Sequence, residues 1–161
     1  MAKLKYLVVH CTATPQGHEL SADRLHEMHT APVSKGGRGW KQVGYSAMIH
    51  LGGLLTILVP YDQDDNVDRW EITNGVKGIN SQSRHLVYVG GMNRDNTAPM
   101  DTRTAEQNIA LANYVRQTIA AHPNILVAGH NEFANKACPS FDVPQWLRAI
   151  GVADKNIKKQ R

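Results

Sequence analysis

The hydrophobic positions of the chain fall into short apolar runs, separated by polar or glycine-rich segments. Runs of four to eight residues that are rich in β-branched side chains are typical of strands. Glycines at 52 and 53 lie between two of the runs and predict a hairpin turn. The predicted strands are Lys3–His10, Gly44–His50, Leu54–Pro60, His85–Met92 and Ile125–Ala128.

Three other segments have helical spacing of their apolar residues. The longest places its apolar residues on one face and ends at Pro123, which cannot continue a helix. Ser21 is a plausible N-cap for the first helix. The predicted helices are Ser21–Thr30, Thr102–His122 and Val143–Ile150, and residues 62–83 are predicted to be a polar surface segment. Strands alternating with helices predict one α/β domain, a central mixed β-sheet flanked by helices.

Length and composition fit such a domain. The chain has 161 residues, of which 42% are hydrophobic and 20% charged. No apolar run approaches the roughly 20 residues of a membrane helix, so we expect no membrane insertion. The apolar stretch Tyr6–Val9 is too short for the core of a signal peptide. We therefore expect a protein that is made in the cytoplasm without a signal peptide.

Charge and cysteine content exclude few classes of partner or function. The formal net charge of +4 suits an anionic partner such as cell-wall polymer, a membrane surface or nucleic acid, and does not choose among them. Part of the excess lies in Lys155–Arg161, which we interpret as a solvated, frayed end. The only cysteines are Cys11 and Cys138, and a free thiol or a metal thiolate is the better interpretation of each.

Two histidines and one cysteine are candidates for a metal site. His10 and His130 each stand at the carboxyl end of a predicted strand, where α/β folds gather reactive groups. Cys138 follows eight residues after His130. Two imidazoles and a thiolate fill three positions of a tetrahedral zinc ion and leave the fourth for water, as in a catalytic site. From spacing alone, inert side chains remain the alternative. Strand alternation directs Cys11 away from His10, as a small buried residue.

The other six histidines give weaker signals. The segment His26-Glu27-Met28-His29 differs from a zinc-binding helix because its histidines are three residues apart instead of four, and we interpret it as a polar helix face. The other four are predicted from their surroundings: His18 and His122 to face solvent, and His50 and His85 to be half-buried beside strands.

Three motifs resemble the N-acetylmuramoyl-L-alanine amidase family, which also contains the peptidoglycan recognition proteins. They are His10–Thr14 (HCTAT), the stretch from Gly39-Trp40 to Gly44-Tyr45, and Lys136–Asp142 (KACPSFD). Their order and spacing agree with the family over roughly residues 5 to 147. The third motif is the most specific of them.

This resemblance implies one zinc ion per chain, with His10, His130 and Cys138 as its ligands. It also implies that Tyr45 and Lys136 are the catalytic pair, the phenol orienting water or the intermediate and the ammonium stabilising the developing oxyanion. Without the resemblance, Tyr45 would be interpreted as strand packing and Lys136 as a surface charge. The implied division is a zinc amidase catalytic domain over residues 1–150 and a basic C-terminal tail over 151–161.

The implied reaction is hydrolysis of the amide between N-acetylmuramic acid and L-alanine in peptidoglycan. We expect a monomeric phage or prophage lysis enzyme that acts on the cell wall, with no nucleic-acid partner. Three alternatives remain open: a peptidoglycan-binding protein without activity, a zinc peptidase acting on another wall bond, and a cytoplasmic amidase that recycles wall fragments.

The chain also departs from the family pattern beside the substrate groove. Many members carry a histidine shortly before a segment G-x-N-x-x-S-I-G. Here Gly75 stands in place of that histidine, and Ser83-Arg84-His85 replaces Ser-Ile-Gly. Ser46 stands where histidine is common. We therefore expect an intact metal site with altered peptide recognition, and the substrate-binding residues are not predicted.

Overall fold

The computed structural model describes residues 1–160, which contain nine strands and three α-helices. The strands are β1 (Ala2–Lys3), β2 (Tyr6–Cys11), β3 (Thr14–Pro15), β4 (Ala47–Ile49), β5 (Leu55–Ile57), β6 (Asn66–Val67), β7 (Ser83–Tyr88), β8 (Gly91–Met92) and β9 (Leu126–Gly129). The helices are α1 (Ala22–Thr30), α2 (Ala105–Ala121) and α3 (Val143–Ala149). No helix among these residues is both long and apolar enough to cross a membrane.

Five strands form the central sheet in the order β5-β4-β7-β2-β9. Strand β2 runs parallel to both of its neighbours, and β4 runs parallel to β7. Only β5 is antiparallel to the strand beside it, through the hairpin with β4. The predicted mixed sheet is thus confirmed. The pairs β1–β6 and β3–β8 form two small separate sheets.

Helices cover both faces of this sheet. On one face, α2 and α3 contribute Leu111 and Leu147 to a core that includes Leu7 and Val9 of β2. On the other face, Leu25 of α1 packs with buried residues of β4 and β7. Because both faces are covered, Leu7, Val8 and Val9 are all fully buried, which explains why β2 is a continuous apolar run.

Side-chain caps determine where the helices begin. Ser21 Oγ accepts a hydrogen bond from the backbone N–H of Arg24 at 3.1 Å, which confirms the predicted N-cap of α1. Thr104 and Gln107 form a capping box at the start of α2, so this helix begins at Ala105, three residues later than predicted.

Glycine conformations explain the differences in the strands. The predicted strand His85–Met92 is interrupted after Tyr88, because Gly90 and Gly91 have φ values of 135° and 99°, which turn the chain out of the central sheet. Residues 91–92 instead pair with β3. The predicted hairpin is confirmed, with Gly53 in the turn at a φ of 90°, although its strands have only three residues each.

The C-terminal segment is not solvated as expected. Asn156 and Ile157 are buried, and Ile157 forms a parallel bridge with Val127 of β9. The Asn156 amide donates to the backbone carbonyls of Pro123 and Ile125, at 2.8 and 2.9 Å. The expectation failed because one apolar residue within a basic segment is enough to attach it to the core.

Two further expectations of solvent exposure are wrong, one for the segment 62–83 and one for His122, which contacts that segment. Glu71 and Thr73 are buried, so this stretch is only partly a surface segment. The carboxylate of Glu71 accepts hydrogen bonds from the backbone N–H groups of Asp62 and Asp68, which explains its burial. His122, expected to face solvent, is also buried, with Nδ1 2.8 Å from Asp65 Oδ1.

Candidate metal and catalytic site

The carboxyl ends of β2 and β9 bring two histidines together. The strands are parallel and Val9 pairs with Gly129, so His10 of β2 and His130, the residue directly after β9, lie at the same end of the sheet. The centroids of the two imidazole rings are 4.8 Å apart. Their proximity follows from the register of the sheet, so no flexible loop is needed to bring them together.

Cys138 completes a group of three side chains that could hold a metal ion. One donor atom each from His10, His130 and Cys138 lies within 4.8 Å of the other two. Cys138 Sγ is 3.7 Å from His10 Nδ1, and it accepts a hydrogen bond from the backbone N–H of Cys11 at 3.3 Å. Cys11 itself is buried and packs with the apolar core, as predicted, but it also borders the groove beside Cys138.

The two histidine donors have the protonation state that a metal cation needs, whereas the thiol of Cys138 must lose its proton. Burial lowers the pKa of His10 well below its usual value, with further contributions from His85 and His130. Burial and then the charge of Lys136 lower the pKa of His130. Both imidazoles are therefore neutral near pH 7 and carry a free lone pair. The hydrogen bond with Cys11, and burial, raise the pKa of the Cys138 thiol, so a metal must displace its proton on binding.

Tyr45 lies beside the metal-binding group. Its ring is half-buried, and the ring centroid is 4.9 Å from that of His10. Burial, followed by the nearby Cys138, raises the pKa of the phenol. Tyr45 is therefore a neutral hydrogen-bond donor at the site, rather than a phenolate base.

His29 fixes the backbone next to Tyr45. Its Nδ1 accepts a hydrogen bond from the Gly44 N–H at 2.9 Å, and its ring lies between those of Trp40 and Tyr45, at 4.9 and 5.4 Å. Burial lowers the pKa of His29 to about 4, which keeps Nδ1 available as an acceptor. The prediction of a polar helix face is wrong for this residue. The four-residue spacing from buried Leu25 is the sequence signal that places His29 on the inner face of α1.

Lys136 lies at the rim of the site. Its side chain is exposed and borders the same groove as Tyr45. Its positive charge contributes, after burial, to the lowered pKa of His130, and it partly offsets the raised pKa of Cys138. The ammonium group is thus close enough to act electrostatically on the metal-binding end of the groove.

His85 is the second histidine whose place was not predicted. It was expected to be half-buried, yet it is fully buried, and its Nδ1 lies 2.9 Å from His10 Nε2. Burial, and then His130, lower the pKa of His85 to about 3, so the ring is neutral. The contact depends on the parallel pairing of β2 with β7, which aligns Val8 with His85. No local sequence signal specifies that pairing.

The metal-binding group opens into a groove of about 1110 Å³. One wall comes from α1 and the loop after it, and another from residues 74–80. Among the described residues that line the groove there is no aspartate or glutamate. The cationic side chains at its lining are Arg24, Arg38, Lys77 and Lys136.

Two histidines at one end of the sheet and a cysteine from the loop before α3, beside an open groove, are an arrangement typical of a metal-dependent hydrolase. Comparison with known proteins identifies the family within this class. The chain belongs to the N-acetylmuramoyl-L-alanine amidase family, whose model matches residues 1–141. The resemblance seen in the sequence motifs is thereby confirmed.

Individual relatives agree with this assignment. The endolysin of Enterobacteria phage K11 is 30% identical over 140 residues, which are 87% of this chain and 83% of the relative. The endolysin of Escherichia phage T7 is 27% identical over 141 residues, with the same shares of 87% and 83%. The solved structure of Drosophila PGRP-LB superposes with a TM-score of 0.71 at 15% identity, covering 99% of this chain and 88% of that one. This last likeness concerns the fold.

Proposed function

We propose that this protein hydrolyses the amide bond between N-acetylmuramic acid and L-alanine in peptidoglycan, using one zinc ion held by His10, His130 and Cys138. The observation that carries the proposal is the convergence of these three donors at the floor of the groove. Family membership supports the reaction, and the phage endolysins among the relatives support a role in cell-wall lysis. We further propose that the enzyme acts as a monomer, since one chain supplies the three donors and the described lining of the groove.

The donor set fits zinc better than the harder divalent cations. Magnesium and calcium prefer oxygen ligands, whereas two imidazole nitrogens and a thiolate are typical of zinc. Bound zinc would lower the pKa of a coordinated water toward ~7 and polarise the scissile carbonyl. The neutral state of both imidazoles near pH 7 is the state that such binding requires.

Tyr45 and Lys136 supply the other groups that the reaction needs. The neutral phenol of Tyr45 donates a hydrogen bond to the reacting oxygen atoms, and the His29–Gly44 hydrogen bond holds the adjacent backbone in place. The ammonium of Lys136 stabilises the negative charge that develops on the carbonyl oxygen. A single donor of this kind typically contributes ~3–4 kcal/mol to catalysis.

The groove itself suits an anionic glycopeptide. Stem peptides of peptidoglycan carry carboxylates, and the cationic residues Arg38 and Lys77 border the groove without an acidic residue in its described lining. Arg24 also borders the groove, where it pairs with Glu27 at 2.9 Å. Trp40 adds an aromatic surface, against which the Arg38 guanidinium lies at 5.0 Å from the ring centroid. The proposed orientation places the peptide along this wall and the scissile amide at the metal-binding end.

Digestion of purified peptidoglycan tests the function. We would compare the wild type with Cys138→Ala and with Asn135→Ala, an exposed residue of the same loop, and identify the products by mass spectrometry. The proposal predicts new L-alanine amino ends and free muramoyl lactyl ends with the wild type and Asn135→Ala, and none with Cys138→Ala.

Other products would identify the competing functions. Cleavage within the stem peptide would indicate a peptidase using the same metal site. Zinc-loaded protein that binds peptidoglycan and releases nothing would indicate a binding protein. Activity confined to soluble muropeptides would favour wall-fragment recycling over lysis.

A further inference from the structure

We propose that His85 is a positioning residue that sets the tautomer of His10, so that His10 Nδ1 faces the metal site with a free lone pair. This inference rests on the proposed zinc site, since the tautomer of His10 matters for catalysis only if a metal binds there. It concerns a residue outside the three ligands and the Tyr45–Lys136 pair. A chain of hydrogen bonds connects the backbone N–H of Val76 to His10.

The chain begins at a donor whose identity is certain. The backbone N–H of Val76 donates to the side chain of Asn80 at 2.8 Å, so the atom that accepts it must be the amide oxygen, Oδ1. The same oxygen lies 3.0 Å from Nε2 of His85. Because an amide oxygen can only accept, His85 must carry its proton on Nε2.

The hydrogen bond between His85 and His10 then determines the tautomer of His10. A neutral His85 that is protonated on Nε2 has a lone pair on Nδ1, which lies 2.9 Å from His10 Nε2. His10 must therefore donate from Nε2, and its own lone pair remains on Nδ1. That nitrogen is the one that lies 3.7 Å from Cys138 Sγ. One backbone N–H thus specifies the metal-facing tautomer through three side chains.

Because both rings are buried, the hydrogen bond between His10 and His85 has no alternative partner in solvent. His10 and His85 are both fully buried, so water cannot replace a lost partner. A buried donor without an acceptor costs about 1–3 kcal/mol, which would favour the other tautomer or a rotated ring. Second-sphere partners of this type commonly orient metal-binding histidines.

Space for the His85 ring is created by Gly75. A Cβ atom at position 75 would lie 2.3 Å from the ring atoms of His85, too close for any side chain. Gly75 and His85 are also two of the positions at which the sequence departs from the family motif, glycine replacing histidine and histidine replacing glycine. The two departures are in contact, and together they place an imidazole against His10.

Zinc affinity measured by chelator competition tests the inference. His85→Leu keeps most of the buried volume and removes the acceptor, and His85→Asn returns an amide oxygen near the position of Nδ1. His122→Leu is the matched control, because it also removes a buried histidine with one polar partner, on an element away from the site. Unfolding curves for each variant establish that it is folded.

We expect zinc binding to weaken about 10- to 100-fold in His85→Leu and to recover at least in part in His85→Asn. His122→Leu should bind zinc as the wild type does. Equal affinity in His85→Leu and the wild type would overturn the inference, as would equal losses in the Leu and Asn variants. A wild type that binds no zinc would instead refute the proposed function.

The tautomers can also be read without any metal. Long-range ¹H–¹⁵N correlation spectra of the metal-free protein distinguish the two ring nitrogens of each histidine. The inference predicts protonation at Nε2 for both His10 and His85 in the wild type, and a mixture at His10 in His85→Leu. Protonation of His10 at Nδ1 in the wild type would overturn it, whatever the zinc affinity.

Discussion

The two faces of the central sheet are built from different kinds of residue. On the face covered by α2 and α3, the sheet contributes apolar side chains and one tyrosine to a continuous core: Leu7, Val9, Ala47, Ile49, Leu86, Tyr88 and Val127. On the face covered by α1, buried histidines stand beside a smaller apolar cluster. Strand β2 serves both faces, since Val9 and His10 project in opposite directions.

This difference separates the residues that stabilise the fold from those that form the site. Burying an imidazole is unfavourable unless its nitrogens have partners, and the α1 face provides such partners through the His10–His85–Asn80 chain and the His29–Gly44 hydrogen bond. The apolar side chains on the other face need no hydrogen-bond partners. We therefore expect substitutions on the two faces to affect different measurements.

The largest expected effect is loss of a ligand. His130→Ala should reduce peptidoglycan cleavage to the rate without enzyme, because two protein donors cannot hold the metal in a catalytic geometry. His130 is only partly buried, so the free energy of unfolding of the metal-free variant should change by no more than about 1 kcal/mol. Cleavage assays and urea unfolding check both statements. Retained activity would remove His130 from the site.

The opposite result is expected on the apolar face. Leu111→Ala should lower the free energy of unfolding by about 2–5 kcal/mol, because it leaves a cavity among fully buried side chains. Zinc content and turnover per folded molecule should remain those of the wild type. Urea unfolding and metal analysis at a temperature where the variant is folded provide the measurement. A loss of zinc binding in folded Leu111→Ala would contradict the separation of the two faces.

Lys136 tests the electrostatic part of the site. Lys136→Gln should reduce kcat about 10²- to 10³-fold, because the developing oxyanion loses its positively charged partner. Zinc content should not change, since the exposed side chain is not among the three donors. Lys136→Arg should retain more activity than Lys136→Gln. Equal rates for the Gln variant and the wild type would show that Lys136 has no catalytic role and is only a surface charge.

A polar residue at the edge of the apolar core gives a smaller effect. Asn156→Ala removes two hydrogen bonds to the carbonyls of Pro123 and Ile125, and we expect the free energy of unfolding to fall by about 1–3 kcal/mol. Activity should remain unchanged because this residue is not part of the groove lining. Thermal and urea unfolding measure the change. No loss of stability would restore the interpretation of a solvated C-terminal end.

The smallest effect is a pH dependence from the α1 face. Burial lowers the pKa of His29 from 6.5 to about 4, so between these values the unfolded chain binds a proton that the folded protein excludes. The stability contributed by neutral His29 is complete above pH 6.5 and is lost as the pH falls toward 4. His29→Asn keeps an acceptor for the Gly44 N–H and does not titrate in this range.

Urea unfolding of both proteins at pH 7 and pH 5 isolates this contribution. The wild type should lose on the order of 1 kcal/mol more than His29→Asn between the two pH values. If the stability of both proteins changed equally with pH, the pKa of His29 would be the same in the folded and unfolded states, which would contradict this prediction.

The parts of the molecule that could be predicted from the sequence are those with local signals. The Ser21 cap and the glycine turn at 52–53 each depend on a few neighbouring residues, and both are confirmed. His10 and His130 could be placed at strand ends for the same reason. By contrast, the contact of His10 with His85 joins residues 75 positions apart and requires the register of β2 with β7.

Burial caused the remaining errors. His122 and Asn156 are polar residues that the hydrophobic pattern assigns to solvent, yet each is buried with a specific partner. Such partners come from distant parts of the chain, so the pattern of a single segment does not reveal them. The interruption at Gly90 has a similar origin, because the hydroxyl of Thr102 lies 2.2 Å from the position of a Cβ atom at residue 90.

X-ray absorption at the zinc edge identifies the ligands of the bound metal. We expect one sulfur neighbour at about 2.3 Å and two histidine nitrogens at about 2.0–2.1 Å in the zinc-loaded wild type. In Cys138→Ala the sulfur signal should be absent, whereas Cys11→Ala should retain it. A wild-type spectrum without sulfur, or a sulfur signal that survives in Cys138→Ala, would contradict the assignment of the metal site.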